Sequence, residues 1–242
     1  MEPKDIDFAA MPQKAISVVT KPVEFFQAMP KAGGFLEPLV FAVVMGLITG
    51  IIQAILNVIG LAPGAGYAGG VMGGFGSIIF MPIAAAIGSF IGAAILFVIW
   101  KLMGSEENYE TAYRCGAYLM AVAPITAIIG VIPYAGGIIT MAIYVYFLVT
   151  ASIHVHHIPS QKAWMVFGII GVIFAILGIV AENKARNMAS ELGKWQKMGK
   201  EFEKSAKDIE KSSDEMRKQA EEMVKQAREQ AEEAQKQAEK NE

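Results

Sequence analysis

Two short stretches of this sequence contain residue types that could do chemistry. The first is GAGYAGG, residues 64–70. Its first six residues satisfy G-x-G-x-x-G, the pattern of turns that hold a dinucleotide pyrophosphate at the start of a helix. That chemistry needs a buried strand before the glycines and an acidic residue about 20 positions after them. Neither is present here. The residues before the glycines form an apolar stretch long enough for a membrane helix, and no Asp or Glu lies between Glu37 and Glu106. We therefore interpret the glycines as serving backbone geometry.

The second stretch is HVHH, which holds the three histidines of the chain, His154, His156 and His157. Imidazole nitrogens bind zinc, but a structural zinc site needs four converging ligands, often including cysteine. Cys115 is the single cysteine of the chain and lies far from HVHH in the sequence. The histidines are therefore weak metal candidates, and an interfacial loop is the alternative. We expect no metal and no cofactor.

Catalytic motifs are not apparent elsewhere in the chain. There is no Ser, His and Asp set within an apolar stretch, no metal-binding helix motif and no P-loop. The sequence therefore predicts a protein that is not an enzyme. Basic residues outside the C-terminal tail form no patch, so nucleic acid is not an expected partner.

Charged residues are distributed unevenly along the chain, and this distribution predicts the helices that carry the glycines and histidines described above. Of the 242 residues, 54% are hydrophobic, yet residues 1–180 hold only 7 of the 21 Lys and Arg and 8 of the 23 Asp and Glu. Uncharged apolar stretches of about 17 to 25 residues are typical of bilayer spans, and backbone in lipid must satisfy its own hydrogen bonds as helix. The sequence predicts an all-α polytopic membrane protein with five spans, over residues 36–61, 78–102, 112–132, 134–153 and 163–180.

Three regions follow from this pattern. Residues 1–35 are predicted to be a cytoplasmic N-terminal segment, in which TKPVEFFQAMP forms a short helix in the membrane interface. Residues 36–181 form the five-helix transmembrane domain, and residues 182–242 form a long charged helical tail. The apolar stretch 71–102 is longer than one span needs and contains Pro82. A short re-entrant or interfacial piece before Pro82 is therefore expected.

The basic residues predict the orientation in the membrane. All seven Lys and Arg of the first 180 residues fall on one side of the predicted spans. The positive-inside rule then places the N-terminus in the cytoplasm and, after five crossings, the tail outside, in what we expect to be a prokaryotic cytoplasmic (inner) membrane. Five basic residues within 184–200 oppose this assignment, but long C-terminal segments are weak determinants of orientation.

Small residues four positions apart allow membrane helices to approach closely. Three glycine pairs have this spacing and are predicted to pack helices together or to line a passage: Gly46 with Gly50, Gly70 with Gly74, and Gly88 with Gly92.

Two charged residues, Glu37 and Arg114, are predicted nearest to the hydrocarbon, each at a helix end. An unpaired charge at that depth is costly, so the two are expected to pair with each other. The alternative is that each reaches the lipid headgroups separately.

The run LMGSEENYETAYRCGAYLMAVAPITAIIGVIPYAGG, together with PVEFF and EPLVF, resembles the Yip family of integral membrane proteins, which interact with Ypt/Rab GTPases. The resemblance covers about residues 20–180 and implies five helices with a cytoplasmic N-terminus and, in eukaryotic members, a role in membrane trafficking. This chain has a short N-terminus and a long charged tail, so Rab binding is not carried over, and it looks similar to the prokaryotic branch. The residues that carry the resemblance are Gly104, Tyr109, Tyr113, Arg114, Ala117, Tyr118, Pro124 and Gly137.

The tail shows a heptad pattern typical of a coiled coil. A row of small residues, with Leu192 among them, faces a row of large ones, and both belong to the predicted oligomerisation seam. This pattern fits antiparallel packing or several chains around an axis, and a solitary helix lying on the membrane is the alternative. The large row is Met188, Trp195, Phe202, Ile209, Met216 and Met223, and the small row is Ala185, Leu192, Gly199, Ala206, Ser213 and Ala220.

These observations favour a non-enzymatic, homo-oligomeric membrane protein that organises membrane or envelope structure. One alternative is an oligomeric channel or conduit for small solutes or lipid, with residues 64–76 lining the passage. Another is a trafficking adaptor that binds a GTPase. The expected partners are the lipid bilayer, further copies of the chain, and an unidentified envelope or cytoplasmic protein.

Overall fold

The computed structural model describes residues 7–61 and 71–239, which contain helices and connecting turns and no strand. The all-α prediction is confirmed. A 3-10 turn, Met120–Val122, joins the fifth and sixth helices. The α-helices are α1 Met11–Thr20, α2 Pro22–Ala28, α3 Leu36–Val58, α4 Val71–Leu102, α5 Tyr109–Leu119, α6 Ala123–Ile129, α7 Ala135–His154 and α8 Ser160–Glu239.

Five segments among the described residues are long and apolar enough to cross a membrane, as predicted. Four of them correspond to α3, the larger part of α4, α5 through α6, and α7, and the fifth lies at the start of α8. Helices α3 and α4 pack along each other, α4 also packs on α5, and α2 packs on α7.

Two prolines have different consequences for the spans. The predicted break before Pro82 is wrong, because α4 continues through Pro82 as one helix of 32 residues. The third span, predicted as one helix over 112–132, is instead interrupted by the 3-10 turn just before Pro124. Pro124 has no N–H to donate to the carbonyl of Met120, which accounts for an interruption at this place.

The N-terminal segment contains more structure than its sequence pattern indicated. The short helix expected at TKPVEFFQAMP is α2, and α1 precedes it. Phe26 of α2 and Val18 of α1 are buried in the protein core, so one face of each helix packs on the bundle. Phe25 also packs edge-on against Tyr118, with the ring centroids 5.2 Å apart.

The described structure divides into two compact units, Met1–Ala189 and Ser190–Glu242. The first contains the five spans and an aromatic core in which Phe41, Trp100, Tyr113 and Phe167 are fully buried. The second is the distal part of α8, whose described side chains from residue 197 to 225 are all exposed.

Candidate functional site at the charged end of the bundle

Seven charged side chains of the first unit lie in three segments at one end of it. The N-terminal segment, the loop between α4 and α5 and the loop between α7 and α8 meet there through polar contacts. Lys31 of the first lies within bonding distance of both loops, 2.6 Å from Glu107 and 3.3 Å from His157. We call this region, residues 27–37, 103–114 and 154–162, the charged end.

Arg114 is the central residue of the charged end. It lies on α5, more than one turn after the N-cap Asn108, whose side chain accepts from the Thr111 N–H and so fixes the start of the helix. The Arg114 side chain is only 2% exposed. Its Nε donates to the carbonyl oxygen of Pro30 at 2.7 Å, and its Nη1 donates to that of Gly34 at 2.9 Å. The guanidinium therefore holds the loop between α2 and α3 against α5.

Glu37 provides the counter-charge for Arg114. The structure places Arg114 Nη2 3.6 Å from Glu37 Oε2, so it brings the two predicted residues together. Lys14 of α1 donates to the other carboxylate oxygen of Glu37. Tyr118 Oη lies 3.5 Å from Arg114 Nη2 and accepts from it. A buried guanidinium needs such partners, because an uncompensated charge at this depth costs several kcal/mol.

Further contacts hold the same loop to the start of α5. The Gly34 N–H donates to Glu110 Oε1 at 2.6 Å, and Thr111 Oγ1 donates to the carbonyl oxygen of Lys31 at 3.1 Å. Burial raises the pKa of Glu107, but the hydrogen bond and positive charge of Lys31, with help from Thr111, hold it below its usual value. Glu107 is therefore ionised at neutral pH and stays paired with Lys31.

His156 lies in a separate buried pocket of the charged end. Its ring stacks on Trp100, with the centroids 3.8 Å apart and the planes 20° from parallel. Its Nδ1 shares a hydrogen bond of 2.8 Å with Ser105 Oγ, which also accepts from the Glu107 N–H. Burial lowers the pKa of His156 to about 4, only partly offset by the negative charge of Glu107. The imidazole is therefore neutral at physiological pH.

The three histidines are directed to different partners and do not form one site. His154 Nδ1 lies 3.1 Å from Gln27 Nε2, His156 bonds Ser105, and His157 lies beside Lys31. Among the residues that the structure describes, no group of three His, Cys, Asp or Glu side chains converges as a metal site would require.

The pair of Ser105 and His156 has the atoms of a nucleophile and a base but not their arrangement. Both side chains are buried. A catalytic serine needs access to substrate, and its histidine needs a third group on the other ring nitrogen. His156 Nε2 has no hydrogen-bond partner among the described residues. This contact therefore joins two loops and Trp100 into one packed unit.

The glycines of α3 serve close packing against α4. A Cβ on Gly50 would lie 2.5 Å from the carbonyl oxygen of Ser77, and one on Gly46 would lie 2.7 Å from Ala85 Cβ. Ser77 Oγ also donates to the Gly50 carbonyl oxygen at 2.9 Å. At these two positions any side chain would push the helices apart.

The other predicted glycine pairs differ from this one. A Cβ on Gly88 or Gly92 would meet no described residue of another helix within 4 Å, unlike one on Gly46 or Gly50. Gly70 lies outside the described residues, as does most of the stretch 64–76. Gly74 lies in the first turn of α4, at a position whose surroundings are likewise not described.

The predicted seam lies along α8, and its large side chains are exposed. Phe202 is 80% exposed and Ile209 is 70% exposed, and the rest of the row is more than half exposed: Met188, Trp195, Met216 and Met223. Leu192 belongs to the described helix, but its side chain lies outside what the structure describes.

Sequence reasoning missed several residues of the charged end. A packed helix that carries Lys14 could have been predicted, because Met11, Ala15 and Val18 of α1 repeat at helical spacing and indicate a packed face. The carbonyl groups of Pro30 and Gly34 gave no signal, because a backbone acceptor can belong to any residue. Ser105 and Trp100 likewise gave none, since their partners lie about 50 residues away in sequence.

Five apolar spans, buried charges at one end and an interhelical glycine contact together define a helical integral membrane protein. A family model described as the Yip1 domain matches residues 16–181. The chain belongs to the Yip1 domain family. No curated protein and no solved structure matches the chain.

Proposed function

We propose that this protein is a non-enzymatic, self-associating membrane protein that organises membrane or envelope structure through its tail. The observation that carries the proposal is the row of large apolar side chains on the distal part of α8. Five of them, from Trp195 to Met223, are spaced seven residues apart and are 62% to 80% exposed. A single helix cannot bury its own row, so the row needs a partner surface.

The energy available from that partner is large. Fully burying a Phe, Ile or Met side chain stabilises by about 1.5 to 3 kcal/mol relative to leaving it exposed. Five such residues would supply enough free energy to offset the entropy lost on association. Another copy of the chain provides a matching apolar row without any additional protein.

A second surface supports self-association within the bilayer. Gly88 and Gly92 lie four residues apart on α4, and a Cβ at either position would meet no described residue of another helix within 4 Å. This is the same spacing by which Gly46 and Gly50 admit α4, and it leaves room for a helix of another copy.

We also propose that the charged end faces the cytoplasm and that the tail lies on the other side of a prokaryotic cytoplasmic membrane. The support is the positive-inside rule, since Lys14, Lys31, Arg114 and Lys162 all belong to the charged end or the helix packed on it. Labelling intact cells with a membrane-impermeant maleimide tests this. Lys207→Cys should react and Lys21→Cys should not, both with Cys115 replaced by Ala, and the opposite pattern would reverse the orientation.

The experiment for self-association compares two triple variants of the full chain in mild detergent. The seam variant carries Trp195→Gln, Phe202→Gln and Ile209→Gln. The control carries Lys197→Gln, Lys204→Gln and Lys211→Gln, which lie two residues later on the charged face and are equally spaced. Light scattering should show that the seam variant has lost most of its assembled form and that the control has not. Equal masses for the seam variant and the unchanged protein would exclude a role of the row in assembly.

A further inference from the structure

The two rows of the tail differ in size in four successive heptads. The large row contains Trp, Phe, Ile and Met at positions 195, 202, 209 and 216. The small row contains Gly, Ala, Ser and Ala at positions 199, 206, 213 and 220. Ser213 Oγ donates to the carbonyl oxygen of Glu210 at 2.8 Å within the helix, so burying it leaves no hydroxyl without a partner. The alternation of size therefore continues through four heptads.

A parallel pair in register would pack these rows badly. Equivalent residues meet in the layers of such a pair, so Phe202 would face Phe202 of the second copy and Gly199 would face Gly199. The large layers set the distance between the helices, and the small layers would then leave voids. Side chains that line a void lose their dispersion contacts, which makes such layers unfavourable.

An antiparallel pair that aligns these four heptads places a large residue against a small one in each of their layers. Reversing one helix brings its small row opposite the large row of the other, so the helices approach evenly along the whole segment. Packing of this kind tolerates bulky Trp195 and Phe202, because each enters the space that a small residue leaves.

We infer that the tail pairs antiparallel with the tail of a second copy of this chain. The inference rests on the proposed self-association and specifies its geometry. The two membrane domains then lie at opposite ends of the paired segment, and not side by side at one end. The paired surface is the large and small rows from residue 195 to residue 223.

Distance measurements between spin labels test the direction of pairing. Lys197→Cys and Lys225→Cys place labels on exposed positions opposite the apolar rows, in full-length chains where Cys115 is replaced by Ala. The two sites are about 42 Å apart along one helix at 1.5 Å per residue. Pulsed electron resonance then compares three samples in mild detergent: residue 197 labelled in all chains, residue 225 labelled in all chains, and a mixture of the two singly labelled chains.

The antiparallel arrangement predicts that only the mixture gives a short distance between chains, and that samples labelled at one site give distances longer by about 20 Å or more. Short distances in both samples labelled at one site would mean parallel pairing and would overturn the inference, while self-association stands. If no sample gives a distance between chains and the protein mass is that of one chain, the proposed self-association itself is wrong. Adding the seam substitutions Trp195→Gln, Phe202→Gln and Ile209→Gln should abolish the short distance, which ties it to these rows.

Discussion

The two units of this chain treat their large apolar side chains in opposite ways. In the first unit, Trp100 and Phe41 are packed inside the helix bundle, and Arg114, although charged, is buried with partners for its guanidinium. In the second unit, Trp195 and Phe202 are exposed along the distal part of α8. Other large apolar side chains of the first unit, such as Ile79 and Phe80, are also exposed, but they lie on helices apolar enough to span a membrane. The exposed row of the second unit lies on a highly charged helix, and under the proposed function a second copy of the chain covers it. Substitutions in the first unit should therefore change folding stability, and those in the second should change assembly.

Arg114→Met should have the largest effect on stability. It removes the donor to the carbonyl oxygens of Pro30 and Gly34 and leaves Glu37 with Lys14 alone. We expect the free energy of unfolding to fall by about 3 to 5 kcal/mol, because each hydrogen bond to a charged group contributes about 1.5 to 3 kcal/mol. Thermal unfolding in mild detergent, followed by tryptophan fluorescence, measures this. Arg186→Met is the control, because its pair with Glu182 is 43% exposed on the Arg side and should contribute about 1 kcal/mol or less. Equal losses for the two variants would contradict the role given to Arg114.

Alanine substitutions at the glycines separate internal packing from open surface. Gly50→Ala places a Cβ 2.5 Å from the Ser77 carbonyl oxygen and should cost about 1 to 3 kcal/mol in unfolding free energy. Gly88→Ala has no neighbour within 4 Å and should be neutral or stabilise by up to about 1 kcal/mol, since alanine favours helix. The same unfolding assay compares the two variants. A loss at Gly88 as large as that at Gly50 would show that α4 is packed closely on this side as well, by its own chain or by another copy.

The stability of the first unit should decrease in mild acid because of His156. Its pKa is about 4 in the folded protein and has its ordinary value of 6.5 in the unfolded chain, so the unfolded state binds more protons between these values. Stability is therefore retained above pH 6.5 and is lost as the pH falls, by about 2 kcal/mol between pH 7 and pH 5. Unfolding curves across this range measure the slope. His156→Phe, which keeps a ring against Trp100, should remove most of it, and an unchanged slope in this variant would assign the pH dependence to other groups.

The smallest effect is expected from the exposed ion pairs of the tail. Glu203→Gln removes the pair with Lys207, which lies four residues away with an N–O distance of 2.8 Å. Both side chains are exposed, so the stability of the helix should fall by only about 0.2 to 0.5 kcal/mol. Helix content measured by circular dichroism should therefore change little. A large loss of helix from this single change would mean that surface charge pairs, and not the apolar rows, maintain the tail.

The spans and the long helix of α8 could be predicted from the sequence because charge is almost absent from residues 36–100 and returns after residue 181. The pairing of Glu37 with Arg114 followed from the cost of burying either residue alone. The sequence did not distinguish Pro124, where the third span is interrupted, from Pro82, where α4 continues. Both prolines lack an N–H, and neighbouring helices in three dimensions determine whether the helix continues.

The loop from Pro30 to Gly34 shows a second limit of prediction from sequence. Its backbone carbonyl groups bind Arg114, but backbone acceptors leave no pattern in the residue types. Ser105 and His156 meet only because two loops fold together at one end of the bundle. By contrast, the rows of the tail were readable because a helix places every seventh residue on nearly the same face.

The most direct test of the central claim is the protein mass of the intact chain in mild detergent, measured by light scattering with the detergent contribution subtracted. One chain has a mass of 26.1 kDa. Self-association through the tail predicts a protein mass of two or more times that value, which falls toward one chain on dilution. A mass of one chain at every concentration would contradict the account, and the exposed row from Trp195 to Met223 would then need a partner other than this protein.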